Sequence, residues 1–158
     1  ENVKNKIRGF DGEVLFTRDT HYENYLETQE GKNLPVKHCI KDTWGWEIVN
    51  ILNPQTLVAN NMMDGKIWYV LDKPSFGYVN IGNGIVGNFP DFILNNEDVE
   101  VTFCGTCTDI CVISNAMIVK SLYPELVVNV KADACAGLTQ EKHKAALDVM
   151  SSCQINII

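Results

Sequence analysis

The feature that most constrains the fold of this sequence is its alternation of short apolar runs with segments of helical periodicity. Five runs have the length and the β-branched and aromatic content of buried strands. They are Glu13–Thr17, Lys66–Leu71, Val99–Cys104, Leu126–Val130 and Ile155–Ile158. Apolar residues repeat at helical spacing between the last three runs, over Thr108–Leu122 and Gln140–Met150. Because strand–helix–strand order implies crossovers between parallel strands, we predict a three-layer α/β fold with a mainly parallel sheet.

The start of the chain is unusual for such a fold. Glu1–Phe10 resembles the end of a helix and leads directly into the first strand run. A crossover helix normally follows a strand, so we expect a strand upstream of residue 1 that these 158 residues do not contain. Their number fits one compact domain, residues 1–158, since single cores typically comprise ~100–200 residues.

Charge and hydropathy exclude several classes of partner. The formal net charge is -7, and no basic stripe is present that would attract nucleic acid. No apolar run approaches the ~20 residues that span a bilayer, and Glu1–Lys4 does not begin a signal peptide. We therefore expect a soluble cytoplasmic protein with neither a nucleic-acid nor a membrane partner. Its six cysteines lie mostly in or beside apolar segments, which favours reduced thiols over disulfides.

A first candidate site combines two imidazoles with two carboxylates within twenty residues. Asp19 and His21 follow the first strand run, and Glu30 and His38 lie in the polar segment after it. Nitrogen and oxygen ligands in this mixture suit Zn²⁺ or Fe²⁺. The alternative is that Asp19 caps a turn and that both histidines are ordinary surface residues.

A second candidate is Cys111, near the start of a predicted helix. Thr108 or Asp109 is expected to cap this helix. A thiol in the first helical turn lies near unpaired amides and the positive end of the helix dipole, which favours the nucleophilic thiolate. The alternative is a buried cysteine that only packs.

Three further patterns receive a structural interpretation. The run Cys104, Cys107 and Cys111 resembles an iron–sulfur motif, but no fourth ligand follows at the usual spacing. The string Gly82–Gly87 matches a dinucleotide fingerprint without the required strand–turn–helix context, so we interpret it as a loop. His143, on the last predicted helix, is interpreted as structural.

In an α/β sheet, ligands gather at the carboxyl ends of the strands. Asp19, Lys73 and the turn Gly105–Cys111 each follow a predicted strand. These polar positions are therefore candidates for one crevice.

Three stretches together resemble the isochorismatase-like cysteine hydrolases and, among them, the nicotinamidases, also called pyrazinamidases. Gly105–Val112 is similar to the nucleophile turn of that family, and Asp72–Phe76 to the strand end with its active-site lysine. Thr17–His21, Glu30-Gly31 and Leu34–Cys39 resemble its metal-binding region. The resemblance covers nearly the whole chain.

The resemblance implies a role for each matching residue. Cys111 would be the nucleophile and Lys73 the cation beside its thiolate. Thr106–Cys107 would be a cis peptide, and the amides of Cys107 and Cys111 would form the oxyanion hole. The metal ligands implied are Asp19, His21, Glu30 and His38. Many relatives have a third histidine ligand where this sequence has Tyr25, and Glu30 takes that role as it does in some nicotinamidases. Zn²⁺ is the expected ion, with Fe²⁺ and Mn²⁺ as alternatives.

The function implied is hydrolysis of nicotinamide to nicotinate and ammonia in NAD salvage, through a thioester on Cys111. The partners implied are a small carboxamide substrate and, as an option, further copies of the chain. One family feature has no counterpart here, because no residue before Asp11 matches the catalytic aspartate that ends the family's first strand. We expect that base upstream of residue 1 or elsewhere, and Asp11 is not assigned. The alternatives are a related hydrolase of another small substrate and a non-catalytic relative that binds metal or thiols.

Overall fold

The computed structural model describes residues 1–79 and 99–158 of the chain. These residues form two compact units, one of residues 1–9 and 76–158 and the other of residues 10–75. We call them the first and the second unit. The string Gly82–Gly87, interpreted above as a loop, lies outside the described residues. That residues 1–158 form a single domain stays a prediction.

The described residues contain both helices and strands. In chain order they are α1 (Asn2–Gly9), β1 (Val14–Asp19), α2 (Gln29–Asn33), α3 (Pro54–Ala59), β2 (Trp68–Lys73), β3 (Glu100–Thr106), α4 (Ile113–Leu122), β4 (Val127–Ala136), α5 (Gln140–Ser152) and β5 (Asn156–Ile157). Single 3₁₀ turns occur at Tyr25–Glu27, Trp44–Trp46 and Asn50–Leu52, and a π-helical turn occurs at Thr108–Val112. No helix among the residues described is long and apolar enough to cross a membrane.

In the first unit, β3, β4 and β5 form a parallel sheet with β4 in the middle. The crossovers are α4 and α5, and α1, α4 and α5 all contact β4. Val130 of β4, Ala116 of α4 and Met150 of α5 are completely buried. Full burial of a side chain the size of Val130 or Met150 contributes about 1.5–3 kcal/mol, so this packing is a main stabilisation of the first unit.

In the second unit, β1 and β2 pair in parallel, from Val14 opposite Trp68 to Asp19 opposite Lys73. The chain between them consists of turns and short helices, with Tyr25 and Leu57 among its most buried side chains. The pairing register places the carboxyl ends of both strands side by side. Asp19 and Lys73 are therefore direct neighbours.

The predicted order of strands and helices is confirmed, but several bounds were wrong. β1 and β2 each begin and end later than predicted, because their hydrogen-bonded pairing continues through polar residues after the apolar run has ended. For the same reason β4 extends from the predicted end at Val130 to Ala136, past Lys131 and Asp133.

The segment Thr108–Leu122, predicted as one helix, begins as a π-helical turn and becomes α-helical at Ile113. The predicted N-cap was wrong, since Cys107 occupies that position and makes no side-chain capping bond. The side chains of Thr108 and Asp109 are instead hydrogen-bonded to the segment that follows β4.

Candidate functional site

The four predicted metal ligands lie together in the second unit. One donor atom from each of Asp19, His21, Glu30 and His38 lies within 4.8 Å of all the others. His21 Nε2 is 3.4 Å from both Asp19 Oδ2 and Glu30 Oε1. His38 Nε2 is 3.8 Å and 3.6 Å from the same two oxygens. Ligands about 2.0–2.2 Å from a tetrahedral Zn²⁺ are separated by roughly 3.3–3.6 Å, a range that includes three of these four distances, so the four side chains could hold one such ion.

The hydrogen bonding of these side chains also suits a cation. His21 Nε2 and Glu30 Oε1 are buried and have no hydrogen-bond partner, whereas buried polar atoms are normally satisfied. His38 Nδ1 lies 2.9 Å from the carbonyl oxygen of Val36 and therefore carries the proton. Its Nε2 then presents a lone pair to the cluster, as a metal-binding imidazole requires.

Local sequence explains how Glu30 reaches this cluster. Thr28 caps α2 by accepting a hydrogen bond from Gly31 N at 3.0 Å, which fixes the first turn containing Glu30. A Cβ at Gly31 would collide with the carbonyl oxygen of Tyr25. Only glycine permits this close approach between α2 and the preceding 3₁₀ turn.

A parallel bridge holds the histidine segments together. His21 N donates to Cys39 O and Lys41 N donates to His21 O, each at 2.9 Å. The segment that carries His38 is thereby paired directly with His21.

Tyr25 packs against the two imidazoles of the cluster. Its ring centroid is 4.6 Å from that of His21 and 5.0 Å from that of His38. Its hydroxyl donates to Leu34 O at 3.0 Å. Burial, followed by the negative charges of Glu30 and Asp19, raises the pKa of Tyr25. The phenol therefore remains protonated and uncharged beside the cluster.

Lys73, the predicted active-site cation, lies beside the predicted metal ligands. Its Nζ is 3.1 Å from Asp19 Oδ1 and donates to Ser75 O at 3.2 Å, and the residue is 2% exposed. Asp19 thus faces the imidazoles with one carboxylate oxygen and the ammonium group with the other. This bond places a buried positive charge next to the ligand cluster.

The predicted nucleophile turn lies in the first unit. The peptide bond between Thr106 and Cys107 is cis, as the resemblance implies. Cys107 O accepts hydrogen bonds from Ile110 N and Val112 N, both at 3.1 Å, and the second of these closes the π-helical turn that contains Cys111. The turn therefore has a fixed backbone around the predicted nucleophile.

Asn115, which the sequence analysis did not assign, and His143, which it interpreted as structural, both hold this turn. Buried Asn115 donates to Cys111 O at 2.8 Å and also bonds residues 76 and 78. His143 Nδ1 lies 2.8 Å from the hydroxyl of completely buried Thr108. The sequence contained one signal for Asn115, a polar amide on an otherwise apolar helix face.

The other cysteines near the turn differ chemically from a reactive thiol. Burial raises the pKa of Cys104 and Cys107, and it raises that of Cys135 to about 11. Within the described ranges, the Asp19 cluster is the one group of three or more residues arranged to hold a metal.

The family model of the isochorismatase domain matches residues 1–158 of this sequence. The chain belongs to the isochorismatase family. This match confirms the predicted resemblance and places the chain among the cysteine hydrolases of that superfamily. No curated protein sequence matches this isochorismatase-family chain.

Solved structures show the same α/β fold. The pyrazinamidase/nicotinamidase from Streptococcus mutans UA159 is 24% identical, with a TM-score of 0.71 over 99% of this chain and 81% of that one. The pyrazinamidase of Pyrococcus horikoshii in complex with zinc is 25% identical, with a TM-score of 0.70 over 99% and 82%. An isochorismatase-like hydrolase from Alkaliphilus metalliredigens is 19% identical, with a TM-score of 0.64 over 99% and 76%. The predicted fold class is thus confirmed.

Proposed function

We propose that this isochorismatase-family protein is a cysteine amidohydrolase that converts nicotinamide to nicotinate and ammonia. The observation that carries the proposal is the cluster of Asp19, His21, Glu30 and His38 with Lys73 bound to Asp19. Relatives outside the nicotinamidases commonly lack the aspartate and histidine of this cluster, so its presence favours a nicotinamide-like substrate. The similarity to solved nicotinamidases and pyrazinamidases supports the same choice.

In the proposed reaction, the thiolate of Cys111 attacks the carbon of the carboxamide. The amides of Cys107 and Cys111 stabilise the resulting oxyanion. The carbon–nitrogen bond then breaks, ammonia leaves with the proton taken from the thiol, and a thioester remains on Cys111. Water hydrolyses the thioester and regenerates the thiol. On the family's pattern, an aspartate carries the proton, a role that Cys111, Lys73 and the four proposed metal ligands do not take.

Asp19, His21, Glu30 and His38 would hold one divalent cation, and Zn²⁺ best suits their two nitrogen and two oxygen donors. When bound, such an ion supplies a Lewis acid for the ring nitrogen of the substrate and for water. On the family's pattern, Lys73 would supply the positive charge that favours the thiolate over the thiol. Its bond to Asp19 fixes the position of that charge.

The decisive experiment measures ammonia release from nicotinamide by the full-length protein loaded with Zn²⁺. Cys111→Ala should abolish turnover, whereas the matched variant Cys153→Ala, which alters the thiol at the end of α5, should retain it. Hydroxylamine should trap the nicotinoyl group as a hydroxamate in the wild type and not in Cys111→Ala.

The alternatives give different results in the same assay. A related hydrolase would release product from another small amide or ester and leave nicotinamide intact. A non-catalytic relative would bind Zn²⁺ without turning over any substrate. Either result would refute the proposed activity.

A further inference from the structure

Thr20 lies between two proposed metal ligands, Asp19 and His21, and its side chain makes a separate set of contacts. The residue is 4% exposed. Its hydroxyl accepts a buried hydrogen bond from Trp46 Nε1 at 2.9 Å and donates to Arg18 O at 3.2 Å. Successive side chains of an extended chain point to opposite sides. The Thr20 side chain therefore points away from those of Asp19 and His21, and the indole bonds the strand end on that opposite side.

Trp46 also ends the segment that carries a third proposed ligand, His38. After His38, Cys39 and Lys41 pair with the backbone of His21. Thr43 N then donates to Ile40 O at 3.1 Å, and Trp46 N donates to Thr43 O at 3.0 Å. Residues 38–46 thus form an arm, attached to the strand end by the His21 bridge near its start and by the Trp46 indole at its end.

The indole itself is held in one orientation. The guanidinium carbon of Arg18 lies 3.3 Å from the centroid of the Trp46 ring. Arg18 is in turn fixed to β2, because its Nε donates to Asp72 Oδ1 at 2.8 Å. A ring stacked in this way keeps its N–H directed at the Thr20 hydroxyl.

We propose that Trp46 is a positioning residue of the metal site, which acts through its hydrogen bond to Thr20. The bond fixes the residue between Asp19 and His21 and closes the arm that carries His38, so it sets the spacing of three of the four ligands. The inference rests on the proposed metal site. Indirect support of this kind typically changes metal affinity by about 10–100-fold.

The test measures the Zn²⁺ affinity of the full-length protein by competition with a chelator. Trp46→Phe keeps an aromatic ring beneath Arg18 and removes only the donor, whereas Thr20→Val keeps the shape and removes the acceptor. Each should weaken Zn²⁺ binding about 10-fold. Thr20→Ser keeps the hydroxyl, so its Zn²⁺ affinity should lie within about 2-fold of that of the wild type. The matched control is Trp44→Phe, two residues away on a side chain that is 93% exposed, and it should leave the affinity unchanged.

The double variant Thr20→Val with Trp46→Phe separates positioning from general damage. Because both changes remove the same bond, the double variant should bind about as weakly as either single variant, with no further loss. Losses that multiply would overturn the inference, as would a Trp46→Phe affinity within 2-fold of the wild type. A loss that accompanies unfolding in circular dichroism would also overturn it. Wild-type protein that binds no Zn²⁺ would refute the metal site itself, which the chelator titration shows before any variant is compared.

Discussion

Asp19 uses its two carboxylate oxygens for different partners. Oδ2 faces the imidazoles of His21 and His38, and Oδ1 is bonded to the ammonium group of Lys73. A charge as buried as that of Lys73 is tolerated only when it is paired and hydrogen-bonded. Any change at Asp19 should therefore affect both the metal ligands and the buried cation, which makes Glu30 the better residue for testing the metal site alone.

Glu30→Gln should strongly weaken Zn²⁺ binding. The substitution keeps the shape of the side chain but replaces a charged oxygen ligand by a neutral amide, and the loss should exceed the ~10–100-fold typical of residues that only support a ligand. Glu27→Gln is the matched control, because Glu27 is exposed on the preceding 3₁₀ turn. The measurement is stoichiometry and affinity by chelator competition. Full retention of metal by both Glu30→Gln and Glu30→Ala would remove Glu30 from the site.

Cys111 should be the first of the six thiols to react with a limiting amount of iodoacetamide near pH 7.5. Its position at the start of a helix favours thiolate, while burial raises the pKa of Cys104, Cys107 and Cys135. With a pKa of about 11, Cys135 would be only about 0.1% thiolate at pH 8, and its labelling should increase only as the pH rises toward 11. Peptide mass spectrometry gives the order of modification. Earlier labelling of Cys39 or Cys153 would count against Cys111 as the nucleophile.

At the scale of elements, the apolar pattern located every strand of the described residues but not the polar ends of those strands. Backbone hydrogen bonding between strands continues as long as the neighbouring strand has partners to offer. The apolar pattern of the sequence carries no information on where it stops. The strand ends matter most for function here, because Asp19 and Lys73 are the last residues of β1 and β2.

The clustering of the four proposed metal ligands could be predicted because their side chains carry recognisable chemistry and match a family pattern. The positions that Trp46 and Asn115 hold in place could not be predicted. Their roles depend on which hydroxyl or carbonyl each meets in the folded chain, and Trp46 is separated from Thr20 by 26 positions.

The short helix α2 provides an element-scale prediction. Gly31→Ala should destabilise the protein and weaken Zn²⁺ binding, because the added Cβ would collide with the backbone of the preceding turn and displace Glu30. Overpacking of this kind costs about 1–3 kcal/mol, or more where backbone must move. Gly45→Ala is the matched control, since a Cβ at Gly45 has no heavy atom within 4 Å. Urea unfolding measures the stability of both variants. Equal stability and equal metal affinity would mean that α2 does not require the close approach.

At the scale of the whole molecule, the two units differ in what stabilises them. Among the described residues, the first unit has a three-stranded sheet and helices of 10 and 13 residues. In the second unit, α2 and α3 contain 5 and 6 residues, lengths at which helices are marginal without tertiary contacts. The second unit therefore depends on its helix caps, on buried side chains such as Tyr25 and Leu57, and on the proposed cation held by its four clustered ligands.

Removal of metal should therefore loosen one part of the chain selectively. All four proposed ligands lie between residues 19 and 38, so binding energy should stabilise that segment and the arm that follows it. At a free Zn²⁺ concentration 100 times the dissociation constant, binding stabilises the folded state by about 2.7 kcal/mol.

Hydrogen exchange followed by mass spectrometry, with and without chelator, should show faster exchange in peptides from residues 19–46 of the metal-free protein. Peptides from β4 and α5 should change little, because none of their residues belongs to the cluster. Glu30→Gln, examined with Zn²⁺ present, should reproduce the metal-free pattern. Equal protection of residues 19–46 in both states of the wild type would mean that the four side chains hold their places without an ion.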